Sequence, residues 1–306
     1  MLSGNGGFVE VSGKQNLDFH GGVDVGAVHG VGGRVLLDPQ DILLNTTAQP
    51  SPPNNPNGTP DIAFADPPAA GTTTVQISDV TGYSELFLQA TRDITLAAAS
   101  PMTMAAGNSV RFEANNNINI NSALTVSGAG SINLKANADN IGGGTLALGA
   151  AGTLASQAGG ITLSGASITG TATSTISSNG AASSNAGNIS ITSTGGASLL
   201  GAITANGGNG AAATAGGNAG TVGITAAGTV TTAAITATGG TAGAGNAAGG
   251  NAGSINISTN TGNITTAALT ARNGSATGTG TGGAVGSISV SNTAAAGNIT
   301  LGALST

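Results

Sequence analysis

The chain has 306 residues, 54 of them glycine, with no cysteine, no tryptophan and a formal charge of −6 from 12 acids and 6 bases. Charged residues make up 6% and hydrophobic residues 39% of the chain, which excludes both a charge-rich disordered tail and an ordinary pair of globular domains. The six bases are scattered, which argues against nucleic acid as a partner; the lack of cysteine excludes disulfides and thiolate metal sites; no stretch approaches the ~20 apolar residues of a transmembrane helix.

In chain order, residues 1–7 carry neither the basic region nor the apolar run of a signal peptide. A strand pattern begins almost at once, so the true start of the protein is expected to lie upstream. Val9/Val11, Leu17/Phe19 and Val23/Val25 alternate with Glu10, Asp18 and Asp24. Alternation at period 2 marks strands with one buried face, and residues 1–44 are predicted to form the first coils of a β-helix. Between residues 45 and 72 the pattern stops, and 7 of the 9 prolines fall between positions 50 and 68. Proline cannot donate to a strand ladder, so this is an extruded loop or linker; the alternative is a boundary between two solenoid pieces. Strands are predicted to resume at Thr74-Val75-Gln76-Ile77.

Residues 73–185 repeat an apolar pair: Ile94/Leu96, Met102/Met104, Val110/Phe112, Ile118/Ile120, Leu124/Val126 and Ile132/Leu134, mostly eight residues apart. Eight residues hold a short strand and a bend, and three such steps make a coil. In residues 186–306 the unit lengthens. Gly187-Asn188-Ile189-Ser190-Ile191 recurs as Gly220-Thr221-Val222-Gly223-Ile224, Gly253-Ser254-Ile255-Asn256-Ile257 and Gly286-Ser287-Ile288-Ser289-Val290, in steps of 33. The unit reads as one coil plus a Gly/Asn/Ala loop of about ten residues. One coil cannot bury its own apolar face, so the stack is the stable unit. The predicted fold is all-β: a parallel β-helix, or β-solenoid, with about three short strands per coil. At ~4.8 Å per coil its length is on the order of 50 Å.

Two segments, Gly6-Gly7-Phe8-Val9-Glu10-Val11-Ser12-Gly13-Lys14 and Arg34-Val35-Leu36-Leu37-Asp38-Pro39-Gln40-Asp41-Ile42, resemble filamentous-haemagglutinin-type exoproteins. Residues 83–95 and 132–139 are similar to later coils of that family. The resemblance implies a right-handed β-helix exported by two-partner secretion through an outer-membrane transporter, displayed at the cell surface or secreted. It implies adhesion, aggregation or biofilm formation, with a host or neighbouring-cell surface glycan or protein as partner. Most of the secretion domain would precede Gly6, so the chain is expected to be a fragment of such an exoprotein.

The rival function is a carbohydrate-active enzyme on the same fold, a polysaccharide lyase or glycosidase working through paired carboxylates. Every acid lies within residues 1–139, and Arg272 is the only charged side chain after Asp139. Asp38 and Asp41, in Asp-Pro-x-Asp, read as turn formers. His20 and His29 sit beside glycine and read as solvated turn residues, not a metal pair. The glycine-rich turns of the repeats lack the Asp that a calcium solenoid needs, no phosphate-loop motif occurs, and no catalytic residue, metal or cofactor is expected. Composition accounts for most of the Asn-x-Ser/Thr sequences at Asn45, Asn57, Asn188, Asn256, Asn263, Asn273 and Asn298; glycosylation at some of them is the alternative. Thr-x-Thr at Thr171, Thr236 and Thr277 does not recur at one position of the repeat, so no threonine lattice is expected. Adhesive contacts are expected from the Pro-rich segment, with Asn54, Asn55, Asn57, Asp61, Phe64 and Asp66 as candidates, and from the Gly/Asn loops at the edge.

Overall fold

A computed structural model describes residues 4–13, 17, 23–27, 29–47 and 72–306. The chain forms a parallel β-helix with three sheets of ten, ten and eight strands. Sheet A starts at Phe8–Ser12 and Arg34–Asp38, continues through Glu85–Ala90 and Ser109–Ala114, and ends at Ser287–Asn292. Sheet B runs from Thr72–Gln76 and Asp41–Asn45 to Ile299–Leu301, and sheet C from Met102–Thr103 to Leu304–Ser305. Every strand pairing is parallel and in register with the next coil, so ten strands at ~4.8 Å make a rod of about 43 Å.

The eight-residue steps place successive strands on successive sheets. Ile94–Leu96 is in sheet B, Met102–Thr103 in C, Ser109–Ala114 in A, and Ile118–Ile120 in B again. In Ser109–Ala114 the inward residues are Val110, Phe112 and Ala114, and the outward ones are half-buried. The 33-residue anchor is a vertical column: Ile189 lies on Val222, Val222 on Ile255 and Ile255 on Ile288. One continuous apolar core runs up the rod, and burying each Ile or Leu in it stabilises the fold by about 1.5–3 kcal/mol.

The start of the rod is less regular. Thr72–Gln76 pairs with Asp41–Asn45 on the side away from Ile94–Leu96, so the chain comes back in front of its own earlier strand. Ile77, expected to continue that strand, instead opens a single helical turn, Ile77–Val80, which buries Ile77 and Val80. Ala105 donates to the Thr81 carbonyl at 3.1 Å, so this turn lies in the sheet C row of its coil. Of the early apolar pairs, Val9 and Val11 are in a strand, whereas Val23 and Val25 lie in irregular chain. At the other end Ile299, Leu301 and Leu304 are exposed, although the columns they continue are buried at Ile264 and Leu269.

Candidate interaction surface

The six residues of the Pro-rich segment singled out above, Asn54 to Asp66, lie outside the described residues. Among the described residues several acids and bases of the front coils are spent on one another and on the backbone. Asp41, buried at the corner between sheets A and B, accepts hydrogen bonds from Arg92 Nε at 2.8 Å, from Arg92 Nη2 and from the Asp93 backbone at 3.0 Å. Asp93 accepts from the Asn117 backbone, and Asn117 from the Thr145 backbone, each at 2.9 Å. The corner is thus an Asx ladder: a side-chain oxygen in one coil takes the N–H at the same place in the next, which satisfies a donor that the bend would otherwise leave free. Asp41 is a turn former with a structural partner. Its hydrogen bond and charge hold the Arg92 guanidinium above its ordinary pKa.

On the outer face of sheet A, Glu85 pairs with Arg34, and Arg111 with Glu113 at 2.5 Å. The Arg111 guanidinium lies 4.3 Å above the Phe87 ring. Burial pushes the Glu113 carboxyl up, but hydrogen bonds from Gln89 and Arg111 outweigh it and hold the pKa below its usual value. Burial raises Asp38, with help from the nearby charge of Glu10. Among the described residues no group of three metal-ligating side chains occurs.

The back coils are built differently. The Gly/Asn/Ala runs, expected to be loops, are ordered extended arms. An outbound arm leaves sheet C at 206–210, turns, and returns along 215–219 to sheet A. Within each layer arms stack coil on coil: Gly207 donates to the Thr238 carbonyl at 2.9 Å, and Gly216 to the Ala248 carbonyl at 3.0 Å. Between layers one hydrogen-bonded zigzag climbs the rod. Gly208 donates to Ser184, Gly217 to Gly208, Gly240 to Gly217, Gly250 to Gly240 and Gly274 to Gly250, all at 2.8–2.9 Å. The result is a two-layer slab. Glycine is required because the layers touch backbone to backbone: a Cβ at Gly217 would enter the Ser184 carbonyl, and one at Gly250 the Gly217 carbonyl.

In the outbound arms at 206–209 and 238–241 the side chains are three residues apart, with two glycines between them. On the return arms Asn185, Asn218 and Asn251 form a ladder, each Oδ1 accepting the backbone N–H one coil on, at 2.7–2.8 Å. On the outbound arms Asn179 Oδ1 accepts from the Asn206 backbone, Asn206 from Thr238 and Asn209 from Thr241, at 2.8, 2.8 and 3.0 Å. These columns flank a shallow groove of about 550 Å³ whose floor is bare backbone at Gly207, Gly208 and Gly239.

The sheet faces continue the theme. Ser164, Thr192, Thr225, Ser258 and Ser291 line up on sheet A. Thr169, Ser198, Thr231, Thr265 and Thr300 do so on sheet B, and Ser177, Thr204, Thr236, Thr270 and Ser305 on sheet C. The regular hydroxyl rows therefore exist, but between coils, one per sheet, and not along strands as Thr-x-Thr. The signal that would have found the slab is the spacing of Asn206/Asn209 and Thr238/Thr241, three apart inside glycine.

The fold defines a class, the repeat-built parallel β-helices. Comparison with protein-family models, curated proteins and solved structures returned no match.

Proposed function

We propose that the chain belongs to a surface-displayed or secreted adhesin-type exoprotein of the filamentous-haemagglutinin kind, in which a rigid β-helical rod carries contact surfaces for adhesion, aggregation or biofilm. The observation that carries this reading is the division of polar side chains along the rod. In the front coils the carboxylates Asp41, Asp93, Glu85 and Glu113 are engaged with backbone amides and guanidinium groups. In the back coils the exposed polar groups are neutral amides and hydroxyls in regular columns on a stiff support, with Arg272 the one charged side chain. Such a surface suits many weak contacts in parallel, whose combined avidity far exceeds that of one contact.

The test is display of the chain on a non-adherent bacterial host, scoring attachment to epithelial monolayers and settling of the cell suspension. Attachment or autoaggregation well above an empty-display control is expected. Behaviour identical to the control in both assays sinks the proposal.

A further inference from the structure

The groove on the outbound arms has a second property, which concerns what can lie in it. Each ladder bond fixes the orientation of an asparagine amide. Because Oδ1 of Asn179, Asn206 and Asn209 faces the N–H of the next coil, the amide nitrogen of each is the end left over. None of these Nδ2 groups has a hydrogen-bond partner among the described residues. Those of Asn179 and Asn206 stand one coil apart, ~4.8 Å, that of Asn209 lies three residues along the same arm as Asn206, and the hydroxyls of Thr238 and Thr241 continue the two columns. Thr236 Oγ1, also on the groove wall, is shielded from solvent and has no partner. The floor carries no side chain, and no charged residue lines the groove.

We infer that this groove binds a neutral glycan chain, the amide donors of Asn179 and Asn206 reaching sugar oxygens along one column and that of Asn209 along the column beside it. This rests on the adhesin reading and narrows it to one face and one ligand class. The chemistry favours a glycan over a peptide. A peptide docks through apolar pockets, ion pairs or an open strand edge, and the groove offers none of these. A sugar chain presents closely spaced neutral oxygens, matching closely spaced neutral donors. The bare glycine floor lets a flat ring approach the backbone. Each unit binds weakly, and repetition along the rod supplies the avidity.

The experiment uses the full chain on columns of immobilised laminarin, yeast mannan and dextran, with heparin as a sulfated comparison. Retention on at least one neutral polymer is expected, unchanged between low and high salt. The double variant N206A/N209A loses two donors and two ladder bonds, and retention falls by about tenfold or more. N218A/N251A loses the equivalent ladder bonds on the opposite face, so it shows the same loss of stability and unchanged retention. No retention on any neutral polymer overturns the inference, as does equal loss in both double variants. Salt-sensitive retention on heparin alone also overturns it and points to Arg272. If displayed chain still mediates adhesion while these columns fail, this inference falls and the adhesin reading stands. If N206A/N209A loses the columns but not cell adhesion, the glycan site stands and cell contact lies elsewhere on the rod.

Discussion

Replacing Gly250 by alanine tests the slab at one of its backbone-to-backbone contacts. The new methyl would enter the Gly217 carbonyl of the coil before, and the arms must part to admit it. Overpacking of this kind costs about 1–3 kcal/mol. Parting the arms also breaks the 2.9 Å hydrogen bond from Gly250 to the Gly240 carbonyl, for about 1 kcal/mol more. The expected loss is therefore about 2–4 kcal/mol. Gly223 is the internal control. It sits in a sheet A strand, and the nearest atom to its added methyl is the Ile189 carbonyl oxygen at 4.0 Å. Gly223→Ala removes only the excess freedom of glycine in the unfolded chain and stabilises by about 0.5–1 kcal/mol. Denaturant unfolding followed by circular dichroism reads both signs. Hydrogen exchange localises the damage, because a solenoid's stability is a sum of neighbour terms and the amides of 240, 250 and 274 should lose protection first. The slab is refuted if Gly250→Ala is as stable as wild type with those amides protected, or if both variants lose equally.

Four further outcomes are expected. Thr232 and Thr266 point into the core next to each other with unpartnered hydroxyls, so Thr232→Val and Thr266→Val should each stabilise by about 1 kcal/mol in denaturant unfolding. Asp41→Ala strips the first rung of the corner ladder and should cost about 2 kcal/mol, with faster exchange of the Asp93 amide; unchanged exchange would contradict the ladder. Glu113, held below its ordinary pKa, contributes stability that is present above its unfolded pKa and is lost as pH falls through the folded value. Glu113→Gln should flatten the acid limb of a stability–pH curve below about pH 4.3. Asp38, held above its ordinary value, works in the opposite sense: its contribution is present at low pH and is lost as pH rises through the folded value, so Asp38→Asn should gain stability over wild type above about pH 4.

The strands were legible because their physics is local and periodic. Val110/Phe112 or Ile132/Leu134 can only alternate in and out of a pleated face, and steps of eight leave no room for a helix. The 33-residue column was legible because stacked coils repeat their buried Ile. What escaped was order held by backbone alone. Residues 206–219 contain no large apolar side chain, so composition reads them as a loop, and only neighbouring coils reveal where each glycine N–H goes. The helical turn at Ile77–Val80 escaped because four residues with apolar ends fit a strand equally well. Asp41 could be recognised as a turn residue, but its partner Arg92 lies in the next coil, 51 positions away. The Pro-rich candidates lie outside the described residues; in the Gly/Asn runs, the other expected contact surface, the columns escaped because side chains three apart in glycine carry no pattern until neighbouring coils are seen to stack.

The direction of the hydrogen bonds has a mechanical consequence. In all three sheets and within each slab layer they run along the rod, from each coil to the next. A pull applied at the two ends loads these bonds head-on, so the rod yields by peeling its outermost coil while the rest stays folded. Each back coil peeled holds 33 residues, and would release about 110 Å of chain for ~4.8 Å of rod. The zigzag between slab layers ties each arm to the arms before and after it, which makes the back coils the last to let go once the front has begun to peel. Pulled from its ends, such a rod lengthens in steps and sheds tension at each one, while the coils not yet peeled stay folded.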